Sequence, residues 1–128
     1  MKSLLRGFTI NYAELNSEDS DPLLRPQVFT ASVTDVADRF ANAIQQVAGW
    51  QIESREQVDE TIRMHLTRRT RIFRFVDDIQ VKIEPHEPAA AIVYAHSQSR
   101  LGKGDLGQNR RNLRELNQTL IAANGSER

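Results

Sequence analysis

His96-Ser97-Gln98-Ser99-Arg100-Leu101-Gly102-Lys103-Gly104-Asp105-Leu106-Gly107-Gln108-Asn109-Arg110 is the stretch on which the reading of this chain turns. An apolar, strand-like run from Ala91 to Ala95 leads into it, and a helical pattern leaves it. Leu106, Leu113, Leu116 and Leu120 recur at helical spacing, with Arg110, Arg111 and Arg114 largely off that stripe. The spacing predicts a helix from about Asp105, acting as N-cap, to Asn124, with Gly125 ending it. A strand is therefore joined to a helix through Gly102, Gly104 and Gly107, with a cluster of polar side chains between them.

Working outward, Ala90 to Ser97 reads as a strand, preceded by a turn at Pro85-His86-Glu87-Pro88, because prolines fit poorly inside a ladder. Ile79, Val81 and Ile83 alternate as a strand before that turn. Trp50 to Glu56 and Thr61 to Thr70 also alternate, and a turn around Val58-Asp59-Glu60 folds them into a hairpin. That register places Ile52 opposite Leu66 and Glu53 opposite His65. It also sets Arg55 against Arg63, which is unfavourable unless an acid or anion lies between them. Further upstream, Val33, Val36, Ala37, Phe40, Ala41, Ile44, Val47 and Ala48 form one helical stripe. Ser32 with Asp35 resembles a capping box, and Gly49 offers a left-handed C-cap. The order α-β-β-β-β-α predicts an α+β domain: a four-stranded, mainly antiparallel sheet with two helices packed on one face.

The chain has 128 residues, enough for one domain with a core of its own. Residues 1–27 read as a polar, acidic arm, partly disordered or docked, because Asn16 to Pro22 lacks apolar anchors; residues 28–128 read as the α+β domain. The arm is expected to be dispensable for folding. Seventeen bases balance seventeen acids, but acids prevail up to Glu60 and bases after it, so internal pairing of the two halves is the plain expectation. With no cysteine, disulfides, thiol nucleophiles and cysteine-bound metals are excluded. No signal peptide or membrane-spanning stretch is evident, which points to a cytoplasmic protein.

Two motifs carry a resemblance. Ser97-x-Ser99-Arg100-x-Gly102-x-x-Asp105-x-Gly107-x-Asn109-x-x-Asn112-Leu113 resembles the C-terminal signature of the domain-of-unknown-function family numbered 1499. Phe75-x-Asp77-Asp78-Ile79-x-Val81-Lys82-Ile83 resembles that family's acidic strand, in the expected order and spacing. The proline-asparagine-cysteine element of the family has no counterpart near this N-terminus. The resemblance implies a shared fold for the C-terminal two-thirds and no activity, since the family is uncharacterised.

The candidate site is therefore Ser97, Ser99, Arg100, Gly102, Asp105, Gly107 and Asn109, together with Asp77 and Asp78. Glycines before a helix can present N–H groups to an anion, with Arg100 and Lys103 adding charge. The pattern matches neither the triphosphate loop nor a dinucleotide fingerprint, and an Asp105 cap would occupy the same N–H groups. The structural alternative is that these side chains knit strand to helix. Adjacent Asp77 and Asp78 point to opposite faces of a strand, so ionic pairing with Arg74 or Arg100 suits them better than a shared metal. Arg100 is expected to be at least partly buried against those carboxylates. His65, His86 and His96 lie on separate elements, and no metal or cofactor is expected. Arg63, His65, Arg69, Arg71 and the helix arginines could meet phosphates, but zero net charge and few stacking residues disfavour nucleic acid. The function expected is a non-catalytic binding or scaffolding module, its partner unknown, with a protein as one candidate. A small anionic ligand or a reaction at the junction is the alternative.

Overall fold

The elements run β1 (Tyr12–Glu14), a 3-10 turn (Pro22–Leu24), β2 (Gln27–Phe29), α1 (Val33–Ile44), β3 (Trp50–Val58), β4 (Thr61–Arg69), β5 (Val76–His86), β6 (Ala90–Ser99) and α2 (Gln108–Ala123). They come from a computed structural model that describes residues 12–70, 75–100 and 107–125. The α+β class holds, but the sheet has six strands rather than four, and two of them precede the first helix. The strand order is β1-β6-β5-β4-β3, with β2 also on β6, and every pairing is antiparallel. β1 lies against His96 to Gln98 and β2 against Ala91 to Val93, so both share one flank of β6. Each is three residues long, too short for alternation to register in the sequence.

Strand alternation sorts the sheet into two faces. Ile62, Ile83 and Val93 stand in one cross-strand row, Met64, Val81 and Ala95 in the next, and all are buried. Against them pack Val36, Ala37, Phe40 and Ile44 of α1 and Leu113, Leu116 and Leu120 of α2. The side of β6 that the sequence leaves open is thereby fixed: Ala91, Val93 and Ala95 face the helices, and Tyr94 faces outward. Ser32 caps α1 by accepting from the Asp35 N–H at 3.0 Å. The helix ends at Ile44, before the expected glycine stop. Gly49, at φ +90°, serves instead where the chain enters β3, because a β-carbon there would lie 2.6 Å from Arg68 Nη1 and 2.9 Å from the Arg69 carbonyl.

Two further expectations are corrected by local geometry. A bulge between Ile52 and Ser54 inserts a residue into β3, so Ile52 faces Leu66 as expected but Ser54, not Glu53, faces His65. Arg55 then stands opposite Met64 and reaches Asp38 of α1 at 2.8 Å, while Glu56 stands opposite Arg63; the arginine clash is removed. Pro85 lies within β5, opposite Ala91, rather than in a turn. The β4 ladder ends at Ile83, so Pro85 sits where only β6 flanks it, and the turn falls on Glu87 to Ala89.

The segment that composition reads as an arm is docked from Tyr12 onward. Leu15 and Leu24 are buried in the core, and Asn117 Nδ2 of α2 donates to the carbonyls of Leu23 and Arg25 at 2.8 and 3.1 Å. Asn16 Oδ1 accepts from the Glu18 N–H and Asp19 Oδ1 from the Asp21 N–H, so polar residues supply the turns between those anchors. Dispensability is thus revised for this stretch. Leu24→Ala is expected to cost about 2–5 kcal/mol, the usual range for a buried leucine, in urea unfolding. Deletion of residues 1–26 is expected to abolish the cooperative thermal transition, and its survival would place the arm outside the core.

Candidate functional site

The strand-to-helix junction is built from residues that a helix would ordinarily turn to water. Asn109, Asn112 and Asn117 lie on the buried side of α2, among its leucines. They are matched by buried Ser97 on β6 and buried Asp77 on β5. The Ser97 hydroxyl donates to Asn109 Oδ1 at 2.5 Å and accepts from Asn112 Nδ2 at 3.1 Å. Asn112 Nδ2 also donates to Asp77 Oδ2 at 2.7 Å, and Gln108 Nε2 donates to Asn112 Oδ1 at 2.7 Å. Asn109 Nδ2 donates to Ser99 Oγ at 3.1 Å. These groups satisfy one another across two strands and a helix, which is the condition for burying polar atoms without a large penalty.

Of the nine sequence-predicted residues, this network gathers Ser97, Ser99, Asn109 and Asp77. Asn112, which bonds Gln108, Asp77 and Ser97, belongs to the family-like signature but is not among the nine. Gly102 and Asp105 lie outside the described residues. The N-cap position of α2 is held by Gly107 rather than Asp105, and the helix begins at Gln108. Gly107 has φ +86° and no side-chain cap; its carbonyl accepts the first helical bond, from Arg111 N–H at 3.0 Å. A left-handed glycine thus starts this helix in place of the expected side-chain cap.

Asp78, as strand geometry requires, points the other way. Arg100 grips it with Nε on Oδ2 and Nη2 on Oδ1, at 2.9 and 3.0 Å, and His65 Nε2 lies 2.7 Å from the same Oδ1. The partner is the expected one, but the Arg100 side chain is 54% exposed and so not buried. It follows the last paired residue of β6 and leans over the sheet face that the helices leave uncovered. The Arg100 guanidinium, with help from His65, holds the Asp78 carboxyl below the usual carboxylate range.

Basic residues of α2 are spent on the acidic segment. Arg110 Nη1 reaches Asp19 at 3.3 Å, and Arg114 pairs with Asp21, whose carboxyl it lowers below the ordinary range. Arg68 and the Trp50 indole share Glu115 Oε1, at 3.2 and 2.7 Å, and so tie α2 to the far side of the sheet. Among the described residues no three histidines, aspartates or glutamates gather as metal ligands, and no helix is long and apolar enough to cross a membrane.

The uncovered sheet face carries Arg63, His65 and Thr67 on β4, Asp78, Gln80 and Lys82 on β5, and Tyr94 and His96 on β6. Thr67 donates to Glu53 Oε2 at 2.8 Å, and the Tyr12 ring lies 5.6 Å from that of His96. A hollow of about 250 Å³ opens at the middle of this face. A wider cleft of about 710 Å³ lies at one end of the sheet, between the start of α1 and the β5–β6 turn.

A family model described as a protein of unknown function (DUF1499) matches residues 9–120, which include Asp77, Ser97, Asn109 and Asn112 of the junction. No curated protein matches the chain.

The Asp78 geometry has a measurable sign. A carboxyl depressed below its unfolded value of 3.8 contributes stability that is present above that value and lost as pH falls through the lower folded one. The Asp78 carboxyl, followed by NMR, is therefore expected to titrate below 3.8 and to move upward in Arg100→Ala. An unchanged titration would mean that the pair does not persist in solution. Because Arg100 is half exposed, the same substitution is expected to leave the denaturant midpoint at neutral pH close to wild type.

Proposed function

The chain belongs to the DUF1499 family of proteins of unknown function, and from that premise we propose that it is a non-catalytic binding module. In this reading the polar junction is a structural latch and the uncovered face of the sheet is the surface offered to a partner. The observation that carries the reading is the closure of the Asp77–Asn112–Ser97–Asn109 network: these side chains are aimed at one another. A ligand site or reaction centre at Ser97 to Arg110 would require them to converge on open space instead. The sheet supports the other half of the reading. One of its faces is filled by α1 and α2, while the opposite one presents charged, amide and aromatic side chains on three adjacent strands.

Latch and ligand site make opposite demands on stability. Residues kept for a ligand are often held at the expense of the empty protein, and replacing them commonly stabilises it. Latch residues lose the fold's own bonds. Asn109→Leu and Asn112→Leu are each expected to lower the unfolding free energy by about 1–3 kcal/mol, the cost of leaving a buried polar partner unmatched. A rise in stability in either variant would return the junction to the role of ligand site.

A further inference from the structure

The hollow on the uncovered face has a composition that latch and core leave unexplained. Arg63 stands directly opposite Lys82 across β4 and β5, and Lys82 stands opposite Tyr94 across β5 and β6. Like charges in directly facing positions oppose sheet pairing unless something negative lies between them. The nearby acids meet that pair only in part. Glu84 forms an ion pair with Lys82 at 3.2 Å, Glu14 accepts from the Tyr12 hydroxyl at 2.7 Å, and Asp78 is taken by Arg100 and His65. Glu56 faces Arg63 from β3, yet Arg63 forms no ion pair among the described residues. In the next row, Gln80 stands opposite His96. Arg63, Lys82, Gln80, Tyr94 and His96 all border the hollow, with Glu14 as its one acid among the described residues.

We propose that this hollow, bounded by Arg63, Lys82, Gln80, Tyr94 and His96, binds a small organic monocarboxylate. The Arg63 guanidinium offers a planar fork that matches the two carboxylate oxygens, and the Lys82 ammonium supplies a second charge from across the strand pair. Gln80 and the Tyr94 hydroxyl are further donors. The Tyr94 ring, 5.1 Å from Lys82 Nζ, is an apolar wall for the ligand's carbon part. Charge sets the class: Glu84 and Glu14 offset much of the pair's positive charge, which suits a monoanion better than a phosphate dianion. Size sets the scale, because about 250 Å³ holds a short-chain or single-ring acid.

The inference rests on the uncovered face being the binding surface, and one titration separates the two ideas. The full chain, labelled with nitrogen-15, is titrated with benzoate, acetate, inorganic phosphate and chloride at constant ionic strength. Benzoate is expected to give saturable amide shifts centred on residues 63, 80, 82, 94 and 96. Arg63→Gln, an exposed substitution, is expected to weaken that binding by about tenfold or more at unchanged Tm, as losing a charged bidentate contact does. Shifts that chloride reproduces, or that survive Arg63→Gln unaltered, would overturn the site while leaving the face open to another partner. Stronger binding of phosphate than of benzoate would overturn the monocarboxylate assignment. Saturable binding that maps to the helix side would overturn the site and the outer-face reading together.

Discussion

The structure depends on helix α2 being able to bury asparagines. A helix that presented only leucines to the sheet would leave Asp77 and Ser97 without partners, in a place where no water competes. Asn112 meets both with one amide group, and Asn109 completes the set. The gain is positional more than energetic: each bond adds about 1 kcal/mol net, but the set is satisfied only when helix, β5 and β6 are in one register. The leucine rows of α2 could slide by a turn and still bury apolar surface. The amides could not.

That register propagates. Asn117, one turn and a half further along α2, holds the carbonyls of Leu23 and Arg25, while Arg110 and Arg114 hold Asp19 and Asp21. The acidic segment is thereby fixed over the helix, and β1 and β2 are delivered to the flank of β6. At the opposite end, Trp50 and Arg68 converge on Glu115 of the same helix. One helix therefore contacts both lateral limits of the sheet and pairs three arginines, Arg68, Arg110 and Arg114, with acids. The uncovered face, with its opposed Arg63 and Lys82, takes no part in these contacts.

Periodicity makes the central hairpins, α1 and α2 legible in the amino-acid sequence, because each has at least nine residues and recurring apolar positions. It fails for β1 and β2, where three residues cannot display alternation, and where the buried anchors Leu15 and Leu24 follow no period. It fails at residue 53 because a bulge has no signature in this composition, and everything after it changes faces. The junction is legible as a place but not in detail. Arg100, expected to be at least partly buried, is half exposed; Asn112, to all appearance an ordinary polar helix residue, is fully buried. An asparagine gives no sign in sequence of whether its amide faces water or a buried carboxyl. The spacing of Asn109 and Asn112, with Leu113 and Leu116 on the same side, is the available clue.

Whether the polar junction fixes strand and helix against each other is tested most directly by a double-mutant cycle on Asp77 and Asn112. Asp77→Ala, Asn112→Ala and the double variant are compared in urea unfolding. A latch predicts a favourable coupling of about 1–3 kcal/mol between the two positions, with the double variant far less damaged than the sum of the singles. Additive losses, with no coupling, would contradict it.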